Sequence, residues 1–148
     1  MYEAVILMVE DNVMDVELTL DAFSQVGFKN KIEVARTGEE ALDYIFTRGK
    51  FADRKGSPLP DLILLDLKLP GISGHEVLAE LKTKESLKRI PIIILTSSRE
   101  EGDRAICYDS GANSYLVKPV DFAEFIRVVR AISDYWLTLN VGPPQGCK

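Results

Sequence analysis

Four short apolar runs each deliver a residue suited to phosphoryl chemistry. Val5-Ile6-Leu7-Met8-Val9 leads into Glu10 and Asp11, and Leu62-Ile63-Leu64-Leu65 ends on Asp66. Ile92-Ile93-Ile94-Leu95 ends on Thr96, and Tyr115-Leu116-Val117 ends on Lys118, followed by Pro119. Carboxylates brought together repel unless a cation sits among them. Mg²⁺ answers that need, since it accepts a few carboxylates, keeps its waters and welcomes a phosphate oxygen. Glu10 and Asp11 would anchor it, Asp66 would complete the site, and the main-chain carbonyl of Lys68 is within reach. A carboxylate is also a competent nucleophile toward phosphorus, giving an aspartyl phosphate. Asp66 is best placed for that role, with Lys118 and the Thr96 hydroxyl as further partners for the phosphoryl oxygens, because such transfer needs mainly positioning and charge neutralisation.

These residues need elements that end together. Short, fully apolar runs read as buried strands of a parallel sheet covered by helices on both faces. The functional crevice of such a sheet lies outside the carboxyl ends of its strands. Between the strands, Val13, Val16, Leu20, Phe23 and Val26 recur at helical spacing until Gly27. Lys31 to Ala35 reads as a further strand. Thr37 with Glu40 reads as a capping box opening a helix that turns Ala41, Leu42, Ile45 and Phe46 inward. Gly49 to Pro60 reads as a loop with at most a frayed helical turn. Ser73 would cap a helix through Val77, Leu78 and Leu81. A polar helix is expected from about Arg99 to Ser110, closed at Gly111, and a last one from Phe122 to about Leu139. Alternation of this kind predicts an α/β fold, a doubly wound five-stranded parallel sheet with five helices.

Each site residue also has an ordinary reading. Asp66 alone suits a turn cap, Asp11 or Asn12 suits the cap of the first helix, and Thr96-Ser97-Ser98 suits the cap of the fourth. Lys118 alone would pass for a solvated lysine. The phosphoacceptor reading rests on their falling together at strand ends. Competing chemistries fit less well. A flavin carrier of this fold would need a Ser/Thr/Gly-rich loop where the chain has Glu10-Asp11-Asn12. A nicotinamide enzyme would need G-x-G-x-x-G after the first strand. A dehalogenase-type phosphatase would need an acid two residues after its nucleophile, where this chain has Lys68.

Composition narrows the remaining classes. The net charge of −5, from 23 acidic and 18 basic residues without a basic block, argues against a nucleic-acid partner. No apolar stretch approaches the ~20 residues that span a bilayer. Cys107 and Cys147 lack metal-ligand spacing and suit a reducing compartment. Met1 to Ala4 enters the first strand without a signal peptide, so the expected location is cytoplasmic. At 148 residues the chain is expected to be one domain, globular over about 4–140 with a flexible tail at 141–148. His75 is expected on the surface. Tyr135, Trp136 and Leu139 would either fold back on the domain or form a homodimer contact.

The segments ILMVEDN, DLILLDLKLPGISGHEVL, IPIIILTSS and GANSYLVKP resemble the receiver domain of two-component response regulators. Asp66, Thr96 and Lys118 stand 30 (96 − 66) and 22 (118 − 96) residues apart, the family's spacing for phosphoacceptor, hydroxyl and lysine. The resemblance implies a flavodoxin-like receiver topology, with Asp66 as phosphoacceptor and Glu10 and Asp11 as Mg²⁺ residues. It implies that Thr96 and Lys118 contact the phosphoryl group, that Thr96 and Tyr115 form the switch, and that the Lys118–Pro119 peptide is cis. The protein would be a phosphoacceptor with at most weak self-dephosphorylation rather than an enzyme. Its phosphodonor would be a sensor histidine kinase, its output an unidentified downstream protein, and Tyr115 would swing from solvent toward the core. Glu10 stands where aspartate is common, and the 55-residue gap from Asp11 to Asp66 (66 − 11) is longer than usual, the excess falling in Gly49 to Pro60. These features resemble the stand-alone regulators that pair with bacterial phytochromes. The alternative is a receiver-like binding or dimerisation module that works without phosphate.

Overall fold

The computed structural model describes residues 5–28 and 31–144. The expectations for Met1 to Ala4, Cys147 and the end of the tail lie outside the described residues. The strands are β1 (Ile6–Val9), β2 (Ile32–Ala35), β3 (Leu62–Leu65), β4 (Ile92–Thr96) and β5 (Ser114–Val117). They form one parallel sheet in the order β2-β1-β3-β4-β5. The helices are α1 (Val13–Gln25), α2 (Gly38–Phe46), α3 (Gly74–Lys82), α4 (Glu101–Asp109) and α5 (Phe122–Asp134). The order reverses direction at β1, which pairs with both β2 and β3. That is the switch point at which a doubly wound sheet opens its crevice.

Alternating side chains of the apolar strands divide into two cores. Leu7, Val9, Ile63, Leu65, Ile92 and Ile94 pack with residues of α2, α3 and α4. Ile6, Leu62, Leu64, Ile93 and Leu95 pack on the other face with Phe23 of α1 and Phe125, Val129 and Ile132 of α5. The buried face of α1 is Val16, Thr19, Ala22 and Phe23, whereas Val13 and Leu20 lie exposed despite their helical spacing. Thr19 can turn inward because its hydroxyl donates to the carbonyl of Asp15 at 2.7 Å.

Local chemistry sets the helix ends. Asn12 caps α1 by accepting from the N–H of Asp15. Thr37 caps α2 by accepting from the N–H of Glu40, and Ser73 and Glu76 form a reciprocal capping box on α3. α4 starts two residues later than expected, after Glu100, whose N–H is taken by the Ser98 hydroxyl at 3.3 Å. Gly111 closes it at φ +101°, a conformation open to glycine. The segment read as a loop contains a 3₁₀ helix, Gly49–Arg54, bound to α2. There the Arg54 guanidinium stacks 3.6 Å from the Tyr44 ring centre and donates to the Tyr44 carbonyl, while Phe51 meets the same ring edge-on. After α5 the chain continues as a π-helical turn, Tyr135–Leu139. Trp136 folds back against the α5 side of the core, and Tyr135 and Leu139 stay exposed.

Candidate phosphoacceptor site

β1, β3 and β5 carry Glu10, Asp66 and Lys118 to one end of the sheet because the strands run parallel and in register. Glu10 is 4% exposed and Asp66 is 7% exposed, so both carboxylates are drawn out of water. Each is held by backbone. Glu10 Oε2 accepts from the N–H of Asn12 at 3.2 Å, and Asp66 Oδ1 accepts from Leu67 N at 2.7 Å and Lys68 N at 3.4 Å. Gly74 allows this turn. Its N–H donates to the Leu67 carbonyl, and a Cβ there would lie 2.1 Å from the Asp66 carbonyl oxygen.

The Lys118 ammonium sits among the acids, donating to Glu10 Oε1 at 2.5 Å, Asp15 Oδ2 at 2.9 Å and Asp66 Oδ2 at 3.1 Å. Burial works against this charge, but hydrogen bonds to Glu10 and Asp15 and the charges of Asp66 and Glu10 outweigh it and hold its pKa above the ordinary lysine range. Glu10 shows the opposite balance. Burial pushes its carboxyl up to about 7, assisted by the charge of Asp66 and opposed by Lys118 and the Asn12 N–H.

Glu10, Asp11 and Asp66 each offer an oxygen, and the three lie within 4.8 Å of one another. Three hard carboxylate donors, one of them exposed to solvent, fit a divalent cation that keeps part of its water shell. Asp11 is the exposed member, and Arg36 braces its main-chain carbonyl at 3.0 Å. Lys68 is exposed beside Asp66. Thr96, fully buried at the end of β4, has its hydroxyl oxygen accepting from Ser98 N at 3.3 Å.

Two expectations are corrected here. The Lys118–Pro119 peptide is trans, as is every peptide bond among the described residues. The four-carbon lysine stem reaches all three acids from the trans geometry, while Lys118 N continues the ladder to the Thr96 carbonyl at 2.7 Å. His75 is not a solvated surface residue. Only a quarter of its side chain is exposed, with Nε2 3.0 Å from Asp103 Oδ1 and Nδ1 3.7 Å from Cys107 Sγ.

The second oxygen of Asp103 accepts from the Ser98 hydroxyl at 2.6 Å, and these Ser98 and His75 hydrogen bonds hold its pKa below the usual range. Burial raises the pKa of the Cys107 thiol to about 11. Tyr115 joins this network by donating its hydroxyl to the Ser98 carbonyl at 3.1 Å. It is already half-buried against the α4 side of the core rather than standing in solvent. A chain of contacts thus runs from Thr96 through Ser98 to Tyr115, Asp103 and His75.

The sequence reading missed Asp15, Gly74, His75 and Asp103. Asp15 had a signal, since it lies one helical turn beyond Asp11. Gly74 stood in view as the first residue after the Ser73 cap. Nothing in the sequence joins His75 to Asp103 across 28 residues.

The family model for the response regulator receiver domain matches residues 6–130. The chain belongs to the response regulator receiver family. It is 42% identical over 139 residues to the probable methanogenesis regulatory protein FilR2 of Methanothrix harundinacea, covering 94% of this chain and 87% of FilR2. The response regulator Rcp1 of Synechocystis is 37% identical over 133 residues, covering 90% of this chain and 88% of Rcp1. The Mn²⁺-bound crystal structure of Rcp1 superposes with a TM-score of 0.86 over 95% of this chain and 99% of that one. The phosphorylated cyanobacterial phytochrome response regulator RcpA superposes with a TM-score of 0.89 at 36% identity, over 97% of this chain and all of that one. The five-stranded receiver fold expected from the alternation of strands and helices is the fold observed. Among the described residues no helix is long and apolar enough to cross a membrane.

Proposed function

We propose that residues 1–148 act as a single receiver unit that takes a phosphoryl group onto Asp66 from the phosphohistidine of a sensor histidine kinase. The observation that carries this reading is the Lys118 ammonium bonded at once to Asp66 and Glu10, beside three acids that can share a divalent ion. Asp66 attacks phosphorus, the P–N bond to the donor imidazole breaks, and the aspartyl phosphate forms. Glu10, Asp11, Asp66 and the Lys68 carbonyl would hold Mg²⁺, which when bound would neutralise charge on the transferring group. Lys118 takes a second share of that charge, and the Thr96 hydroxyl turns from the Ser98 N–H toward the new phosphoryl oxygens. Moving Thr96 releases Ser98, and with it the acceptor of the Tyr115 hydroxyl, so Tyr115 and the surface of α4, β5 and α5 rearrange.

The similarity to RcpA supports a phytochrome-type kinase as donor. The exposed Tyr135 and Leu139 at the end of the last helix support a homodimer, and the downstream protein would read the rearranged surface. The unit would work as a cytoplasmic phosphoacceptor with weak self-dephosphorylation rather than as a turnover enzyme.

The test is intact-protein mass after incubation with Mg²⁺ and acetyl phosphate, and with a phosphorylated histidine kinase, for wild type and Asp66→Asn. One phosphoryl adduct on wild type and none on the variant is the expected result. No adduct from either donor would overturn it in favour of a phosphate-independent binding module.

A further inference from the structure

We propose that Asp15 is a positioning residue for Lys118, holding the ammonium over Asp66 by a bond that does not depend on the metal-binding acids. This inference rests on the phosphoacceptor reading of the pocket and adds a residue to it. Lys118 has three N–H donors, and Glu10, Asp15 and Asp66 take one each. Glu10 and Asp66 belong to the set that can share a divalent ion with Asp11, so their oxygens have a second duty. Asp15 lies outside that set. It is the carboxylate on the ammonium whose oxygens remain for the lysine alone.

Its placement is fixed from both sides. Asp15 occupies the first turn of α1, where Asn12 Oδ1 accepts its N–H at 3.0 Å. Its carbonyl accepts the hydroxyl of buried Thr19 at 2.7 Å. Lys118, by contrast, ends β5 on a flexible four-carbon stem, and about a tenth of its side chain is exposed. A rigid helix turn therefore restrains a flexible cation, the kind of preorganisation that transition-state charge stabilisation needs. The Asp15 carboxylate bonds to the Lys118 ammonium, so its effect on Asp66 passes through Lys118.

The direct test is the ¹⁵Nζ resonance of Lys118, assigned with Lys118→Ala and recorded with and without Mg²⁺. In wild type the slowly exchanging ammonium signal is expected in both conditions. In Asp15→Asn it should be lost to fast exchange when Mg²⁺ is present, and Asp15→Glu should restore it. A signal unchanged in Asp15→Asn would overturn the proposal, whatever the protein does with phosphodonors. The kinetic counterpart is a double-mutant cycle in acetyl phosphate at saturating Mg²⁺. Asp15→Asn should slow adduct formation by up to roughly a hundredfold in wild type, the scale of a misplaced catalytic partner, and leave the rate unchanged in Lys118→Ala. An equal loss in both backgrounds would show a role independent of Lys118 and would also overturn the proposal. Failure of wild type to form any adduct would count against the phosphoacceptor reading, while the resonance still decides the placement of Lys118.

Discussion

The acid pocket at the ends of β1, β3 and β5 and the polar network between α3 and α4 are both built from buried or partly buried ionisable groups, but their charges are arranged oppositely. In the pocket, Glu10, Asp15 and Asp66 share one ammonium and Asp11 stands beside them, so negative charge is in excess. In the network, each oxygen of Asp103 has its own partner, Ser98 on one side and His75 on the other. Excess negative charge makes a region responsive to cations, whereas matched hydrogen bonds make a region hold a shape. Ser98 links the two, donating its N–H to the Thr96 hydroxyl oxygen on the pocket side and meeting the Tyr115 hydroxyl at its carbonyl.

Gly74 offers the largest perturbation, because it packs on the Asp66–Leu67 turn and opens the helix that carries His75. A Cβ at 2.1 Å from the Asp66 carbonyl meets backbone, which cannot swing aside as a side chain can. Gly74→Ala is expected to destabilise the fold by about 3 kcal/mol, the upper range for overpacking, read as a lower urea midpoint at unchanged slope. Both regions should suffer together, with adduct formation slowed and Tyr115 fluorescence altered.

Removing Lys118 should separate them. In Lys118→Met the acids lose their cation, and the expected cost is about 3 kcal/mol in chelator-treated protein near pH 8, the lower end of the range for breaking a buried ion pair. Millimolar Mg²⁺ should stabilise the variant more than it stabilises wild type. Thermal melts with and without Mg²⁺ measure this, and equal stabilisation of the two proteins would break the proposed contrast.

Acidity sharpens the same contrast. Glu10 titrates near 7 in the folded chain against an ordinary value of 4.5. Its folded pKa is raised, so the stability it contributes is full below 4.5 and is lost as pH rises toward and through about 7. Cation binding requires the ionised form, so Mg²⁺ affinity should climb up to roughly tenfold per pH unit below 7 and level off above it. Calorimetric titrations at several pH values, with the accompanying proton release, check this. Glu10→Gln should flatten the profile.

The smallest effect is expected in the network. Asp103→Asn should cost about 1 kcal/mol, the scale of a charge-assisted hydrogen bond at a partly exposed site, and change the initial rate of adduct formation less than twofold. The Asp103 pKa is depressed, so its contribution is present above about 3.8 and lost as pH falls through the folded value. The variant's acid unfolding should therefore begin from a lower plateau, which a pH-dependent melt records.

Much of the pocket was legible because strand burial and strand ends are written as apolar runs with a terminal polar residue. The fully buried residues of β1, β3 and β4 read unambiguously as central strands, and their last residues define the crevice. The network of His75, Ser98 and Asp103 was not legible, since these residues come from separate elements and meet only after α3 and α4 pack on the sheet. The inward face of α1 was misjudged because Thr19 satisfies its hydroxyl on its own helix and so is buried in place of an apolar residue. The loop after α2 concealed its 3₁₀ turn because Arg54 and Phe51 are held by Tyr44, a tertiary contact that local propensity does not encode.

The most direct test of the account is the position of the phosphoryl group. Wild-type protein treated with Mg²⁺ and acetyl phosphate can be reduced with borohydride, which converts an aspartyl phosphate to homoserine, and then mapped by peptide mass spectrometry. Conversion is expected at residue 66 alone. Conversion at Glu10, Asp11 or Asp15, or a phosphoryl group retained on Thr96 or His75, would contradict it.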